Sequence, residues 1–255
     1  MSTRPAPRLY VAAPLVAKGA VPLEDDRSHY LLHVLRLQDG DDVRVFNATD
    51  GEWHGQLQKV GKHNAVITPQ SQTRTQQAEP DVWLCPAPIK KAHFDYMIEK
   101  VTELGATAIQ PVLTARTQIR EVNAERCRSI AIEAAEQCER LSVPDILTAQ
   151  NLDSFIQAWP ADRLPIICAE WGDATPVHEA FAAIKPLDTN KIAILTGPEG
   201  GFMAEELEAL GTLKNALFIR LGSRILRADT AAIAALAVWQ ATRGGWTHDA
   251  PLKER

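Results

Sequence analysis

The chain has 255 residues, 45% hydrophobic and 23% charged, an ordinary globular composition with room for one large domain or for a small and a medium one. No apolar run approaches the roughly 18 to 20 residues of a membrane helix, and the Pro-rich start from Met1 to Arg8 lacks the apolar core of a signal peptide, so a cytoplasmic enzyme or binding protein is expected. A net charge of -5 counts against a protein that grips nucleic acid through overall charge, because phosphate contacts need Lys and Arg.

The amino-terminal part reads mostly as β structure. One helix is predicted early, over Ser28 to Leu37, where Tyr30, Leu31, Val34, Leu35 and Leu37 fall at helical spacing. Val43 to Asn47 is an apolar-rich strand preceded by Asp39-Gly40-Asp41. Asp50-Gly51 is a hairpin signal, and Glu52 to Val60 then alternates in polarity. Asn64 to Thr68 is a further short strand. Short strands separated by turn signals suggest a small barrel. Pro69 to Pro80 is nearly free of apolar side chains and rich in Gln, Thr and Ser, the composition of a linker.

Beyond the linker, strand and helix alternate. Strands are predicted over Val82 to Ala87, Ala108 to Leu113, Leu164 to Ala169, Lys191 to Thr196 and Leu217 to Leu221. Helices are predicted over Ala92 to Leu104 with Gly105 as its cap, Ala124 to Arg140, Glu205 to Leu210 closed by Gly211, and Asp229 to Thr242. This rhythm argues for a largely parallel sheet covered on both faces. The four cysteines, Cys85, Cys127, Cys138 and Cys168, show no metal or redox spacing and read as buried thiols. His29 and His33 are four residues apart but lack further ligands at a recognisable spacing, so no metal site is expected.

Two segments carry the chemistry. In Leu195-Thr196-Gly197-Pro198-Glu199-Gly200-Gly201-Phe202 a buried strand runs straight into three glycines and a proline, and a helix follows. Ligands of parallel sheets bind outside the carboxyl ends of strands, and glycine there lets the main chain approach a ligand. The loop has neither the Lys-Ser/Thr pair of a P-loop nor a dinucleotide fingerprint. A nucleoside without a phosphate tail suits it better, and S-adenosylmethionine fits that description; a plain tight turn remains the other reading. In Leu221-Gly222-Ser223-Arg224-Ile225-Leu226-Arg227-Ala228-Asp229 a strand again ends in glycine before a helix. Leu221, Ile225 and Leu226 could form an apolar slot for adenine. Asp229 suits the positive end of the helix dipole, and Arg227 could hold a phosphate or stabilise charge on a reacting base. Gln137 and Arg140 are three apart and share a face of their predicted helix. Lys90 and Lys91 precede a helix, and His33 with Arg36 forms a second polar pair. Each of these groups could touch RNA or simply face solvent.

The LTGPEGGF loop, the LGSRILRADTA segment, the EAAEQCER helix and the stretch His33-Val34-Leu35-Arg36-Leu37 followed by Gly40-Asp41 together resemble the RsmE family of 16S ribosomal RNA uracil-N3 methyltransferases, within the SPOUT superfamily. The likeness runs from about Arg8 to Arg243. It implies a PUA-like RNA-binding β-barrel over residues 1–72, a linker over 73–80, a SPOUT α/β domain with a trefoil knot over 81–247, and a tail over 248–255. It further implies a homodimer acting on 16S rRNA of the small ribosomal subunit. S-adenosylmethionine would lie among three loops that map to Ala169-Glu170, Thr196 to Gly201 (Thr196, Gly197, Pro198, Gly200, Gly201) and Leu221 to Leu226 (Leu221, Gly222, Ser223, Ile225, Leu226). Asp229 stands where the family usually has Glu, and Glu99 where Gln is common.

Uracil N3 is a poor nucleophile until its proton is lost. On this resemblance the expected roles are Arg227 for charge stabilisation, and Glu199 or Asp229 as base or as its orienting group. Arg8, His33, Arg36, Lys90, Lys91, Gln137, Arg140 and Arg224 are the expected RNA contacts, and the target base must leave its stack. Two alternatives stay open: a related enzyme acting on another RNA position, and a non-catalytic ribosome-assembly factor.

Overall fold

The computed structural model describes residues 5–61, 63–76, 78–169, 172–184 and 191–247. They fall into two compact units, one made of the described residues within 1–78 and 135–143 and the other of those within 79–134 and 144–255.

The first unit is built on a five-stranded sheet. Its strands are β1 (Arg8–Tyr10), β2 (Val21–Pro22), β3 (Asp42–Asn47), β4 (Gly51–Val60) and β5 (Asn64–Arg74), in the order β1-β3-β4-β5-β2. β1 joins β3 in parallel, and the other pairings are antiparallel. Alternating residues supply the core: Leu9, Val43, Val45, Leu57, Ala65 and Ile67 are buried together with Leu31 of the intervening helix.

Two expectations change here. β5 continues through Pro69 to Arg74, inside the segment whose composition suggested a linker. Its main chain pairs with β4 across two irregularities, at Glu52/Trp53 and His54/Gly55, and a ladder of backbone hydrogen bonds needs no apolar side chain. The early helix starts sooner and ends sooner than its apolar spacing predicts. It is α1 (Asp25–His29), continued by one π-helical turn over Tyr30–Val34. Asp25 and Asp26 favour the earlier start at the dipole's positive end. Arg36, at φ 58°, turns the chain out of helix.

Arg8, expected to touch RNA, is instead an internal strut, and the expectation is corrected. Its side chain is 3% exposed and meets the 2% exposed Glu52 carboxylate at 2.5 Å. It also donates to the carbonyls of Ala135 and Arg140, each at 2.7 Å, and its guanidinium stacks on Phe46. Those carbonyls belong to the last turn of a helix and the second residue beyond it, where carbonyl groups lack intrahelical donors. No face of Arg8 is left for phosphate. Arg44 and Arg74 stand 3.7 and 3.8 Å from the same carboxylate. Burial opposes ionisation of Glu52, but the Arg8 hydrogen bond and the three arginine charges outweigh it and hold its pKa below the ordinary glutamate range.

The second unit alternates strand and helix: β6 (Asp81–Pro86), α2 (Lys91–Glu103), β7 (Ala108–Ile109), β8 (Val112–Leu113), α3 (Ala124–Cys138), β9 (Asp145–Ile146), β10 (Gln150–Asn151), α4 (Leu152–Gln157), β11 (Leu164–Cys168), β12 (Thr175–Pro176), α5 (Val177–Ala183), β13 (Lys191–Thr196), α6 (Ala204–Gly211), β14 (Leu217–Arg220) and α7 (Ala228–Thr242). The last residues of α3 belong to the first unit. Seven strands make a parallel sheet in the order β12-β14-β11-β13-β6-β7-β9. Ile166, Ile167, Ile192, Ala193, Ile194 and Leu195 are at most 1% exposed, which is why these strands read as continuous apolar runs. Leu152, Phe155, Leu210 and Leu213 pack on one face, while α2, α5 and α7 pack together and α7 covers β6 and β13.

The elements β9, β10, α4, β12 and α5 are not among those predicted, and several boundaries differ from expectation. Gln110-Pro111 splits the predicted Ala108–Leu113 strand in two. The helix expected to reach Arg140 stops at Cys138, with Glu139 at φ 62°. Gly211 is the last helical residue rather than a cap beyond the helix, since the C-cap is Thr212. Of the four cysteines, Cys85 and Cys127 are buried, while Cys138 and Cys168 are partly exposed; all are free thiols.

Candidate functional site

The strand register places the carboxyl ends of β11, β13 and β14 side by side: Cys168 lies opposite Thr196 on one flank and Ile219 on the other. The loops that leave these strands surround a cleft of about 880 Å³, counting its open mouth. Thr196, Gly197, Pro198 and Gly201 form one wall, and Leu221, Gly222, Ser223, Ile225 and Leu226 form the other. Gly200 is one residue off the lining, and Glu170 lies outside the described residues.

Local geometry explains the composition of these walls. The amide of Gly201 donates to the carbonyl of Pro198 at 2.9 Å, and Gly201 takes φ 66° to close that turn. Gly222 adopts φ 108° where β14 leaves the sheet. Both values lie where a Cβ is disfavoured, so the walls present bare main chain. Ile225, 87% exposed, stands at the rim as an uncovered apolar side chain. The hydroxyl of Thr196 is buried without a hydrogen-bond partner among the described residues. A buried polar atom of that kind calls for a partner from ordered water or a bound ligand. Burial pushes the Cys168 thiol up to about 12, making it a neutral part of the wall and no nucleophile.

Ala169, at the first of the three expected loops, lines the cleft; the sequence reading missed Cys168, Phe202 and Ile219 as lining residues, although all lie at strand ends or in the loops that follow them. It also missed Arg116. That side chain reaches 84 positions along the chain to donate to the carbonyl of Gly200 at 2.5 Å, and its carbons lie within 3.1 to 3.8 Å of where a Gly200 Cβ would stand. Arg116 therefore clamps the glycine loop from outside the cleft.

A second hollow, lined by Ile89, Lys90, His93, Glu199, Arg227, Ala228 and Asp229, shares Ala228 with the cleft. It brings together all three residues expected to be catalytic: Arg227, Glu199 and Asp229. Glu199 and Arg227 are exposed, and neither side chain has a partner among the described residues. Asp229 is 7% exposed. One of its carboxylate oxygens meets His93 Nδ1 at 2.9 Å, and the other accepts the Thr230 amide at 2.7 Å. Burial disfavours its charge, but the His93 and Thr230 hydrogen bonds prevail and keep its pKa low.

Of the expected RNA contacts, His33, Arg36, Lys90, Lys91, Gln137 and Arg224 are exposed. Arg140 does not share a helix face with Gln137 as predicted, because the helix has ended before it. Its guanidinium donates to Ser142 Oγ at 2.7 Å.

A cleft of bare main chain at the carboxyl ends of parallel strands defines an α/β protein with a candidate small-molecule site and a separate β-sheet unit. Family comparison narrows the class. Residues 76–240 match the RNA methyltransferase domain and residues 23–70 the RNA methyltransferase PUA domain. The ribosomal RNA small subunit methyltransferase E of Rickettsia conorii is 36% identical, over 90% of this chain and 93% of its own length. That of Synechocystis is also 36% identical, over 90% of this chain and 76% of its own. Among solved structures, the Neisseria gonorrhoeae ribosomal RNA small subunit methyltransferase E bound to S-adenosyl methionine superposes with a TM-score of 0.82 at 27% identity, covering 92% of this chain and 97% of that one. A Legionella pneumophila putative methyltransferase with bound cofactor gives 0.80 at 26% identity, covering 93% and 98%. The chain belongs to the ribosomal RNA small subunit methyltransferase E family of RNA methyltransferases.

Proposed function

We propose that this protein uses S-adenosylmethionine to methylate N3 of a specific uridine in 16S rRNA of the small ribosomal subunit. The observation that carries the reading is the main-chain cleft with its unpaired Thr196 hydroxyl, adjoining a hollow of charged side chains. The donor fits the cleft by chemistry: its adenine suits the Leu221, Ile225 and Leu226 slot, main-chain groups at Gly197, Pro198, Gly201, Gly222 and Ser223 suit its polar edges, and Thr196 gains a partner. Glu170 and Gly200 complete the set of donor-binding residues we assign. When bound, the donor supplies an electrophilic methyl carbon on sulfur. The chain's own task is to orient the uracil, remove its N3 proton and stabilise the charge left on the ring. Arg227 serves the last of these from the second hollow, with Glu199 and Asp229 beside it.

In the same reading residues 1–72 hold RNA and 81–247 carry catalysis, with 73–80 between them; the expected tail, 248–255, lies outside the described residues. The exposed His33, Arg36, Lys90, Lys91, Gln137 and Arg224 make the RNA contacts. The working form is a cytoplasmic homodimer whose carboxyl-terminal segment is threaded as a trefoil knot. The deciding experiment is mass mapping of 16S rRNA from cells lacking the gene. N3-methyluridine disappears from one position and returns on add-back; an unchanged map refutes the assignment.

Arg116→Ala removes the clamp on Gly200. Because the bond is exposed to solvent, its loss amounts to about 1 kcal/mol, so the Kd for S-adenosylmethionine rises roughly five-fold with kcat little changed. Titration calorimetry measures this, and equal affinities would show that the loop holds its shape unaided.

A further inference from the structure

The second hollow contains a histidine to which the reading above gives no task. His93 stands in the first turn of α2 and Asp229 in the first turn of α7, 136 positions apart in the chain. His93 Nδ1 lies 2.9 Å from a carboxylate whose side chain is only 9% exposed, while the His93 side chain itself is 43% exposed. Both Asp229 oxygens are engaged, one by His93 and the other by the Thr230 amide. Asp229 is thus held in place and its accepting positions face protein donors. Glu199, the other carboxylate of the hollow, is exposed and has no partner among the described residues to orient it.

A carboxylate facing Nδ1 fixes the tautomer with its proton on that nitrogen and leaves Nε2 as a bare acceptor. The same carboxylate stabilises the imidazolium formed when Nε2 takes up a proton. We propose that His93 is the general base of the methyl transfer and that Asp229 is its positioning residue. The assignment rests on the reading that the chain methylates uracil N3. The N3 proton passes to His93 Nε2, and the nitrogen pair so released forms the bond to the methyl carbon. The carbon–sulfur bond breaks with its electrons going to sulfur, which leaves as a neutral thioether. His93 then gives its proton to solvent, to which it is open. Lys90 and Arg227 face the same hollow and meet the negative charge that deprotonation places on the uracil oxygens, while Glu199 and Asp229 are the carboxylates facing it.

The test compares wild type, His93→Gln and His93→Lys on 30S subunits lacking the methyl group, with single-turnover rates followed against pH and donor affinity measured by calorimetry. His93→Gln loses about 10²- to 10⁴-fold in rate with unchanged donor affinity. Its residual rate keeps climbing with pH, as the uracil ionises unaided, where the wild-type rate has levelled off. His93→Lys keeps an ion pair with Asp229 yet is impaired at neutral pH like the Gln variant. A Lys variant with wild-type rate and profile overturns the proposal, because a bridge between two helices would then suffice. Independently of any variant, ¹⁵N shifts of wild-type His93 place its proton on Nδ1 and leave Nε2 bare; Nε2 protonated throughout the active pH range also overturns it. If wild type forms no N3-methyluridine, the functional reading falls and the base role with it. If wild type turns over and His93→Gln is unimpaired, the base role alone falls.

Discussion

Replacing Arg227 with alanine lowers kcat by about 10²- to 10³-fold and leaves the Kd for S-adenosylmethionine within about two-fold of wild type. The two effects separate because the two hollows do. Leu226 and Ala228, on either side of Arg227, line the main-chain cleft proposed for the donor, whereas Arg227 itself lines only the neighbouring hollow, with His93, Glu199 and Asp229. The guanidinium has no partner among the described residues that would give it a structural role. Its charge is therefore free to meet the anion formed as N3 loses its proton, an interaction stronger in the transition state than in the ground state. Such an interaction appears in kcat and not in donor binding. Single-turnover methylation of unmodified 30S subunits, with calorimetry alongside, provides both numbers. Wild-type kcat in the Ala variant, or a parallel collapse of donor affinity, contradicts the assignment.

The largest loss of stability is expected from Glu52→Gln, about 3 to 5 kcal/mol. The amide keeps the volume of the side chain but leaves the Arg8 guanidinium, 3% exposed, without its counter-charge. Arg44 and Arg74 lose the same partner. The pH dependence has a definite sign. The folded-state pKa of Glu52 lies below its ordinary value, so the folded state favours the carboxylate more than the unfolded chain does. The contribution is complete above the ordinary glutamate range and is lost as pH falls through the lower, folded-state value. Wild type accordingly loses stability through that acid window, and the Gln variant, already without the pair, shows a flatter curve there. Urea unfolding across pH measures both effects; a midpoint unchanged at neutral pH would mean that Glu52 holds nothing.

These two residues were unequally visible in the sequence. Arg227 announced itself through the glycine-bearing strand end before it, since a loop that must present bare main chain is restricted in composition wherever it occurs. For Arg8 the sequence showed only a cation near the amino terminus, which looks the same on a solvent face and in a buried network. Its partners, Glu52 and the carbonyls of Ala135 and Arg140, are 44, 127 and 132 positions away. No local pattern encodes contacts at that separation.

The sequence by itself determined the central strands β6, β11, β13 and β14, the helices α2, α3, α6 and α7 and both glycine loops, but not the two-residue strands β9, β10 and β12 or the short helices α4 and α5. A strand buried on both faces must be continuously apolar, as Ile192 to Leu195 is, and these constraints act within a few positions. Tertiary structure decided the rest. It extended β5 into polar residues because the main chain of β4 was there to pair with, and it ended the early helix at a π turn. It also set His93 against Asp229 and Arg116 against Gly200. Such pairings depend on which strand ends and helix starts the topology brings together, and the free energy that fixes them comes from contacts between segments that are distant in the chain.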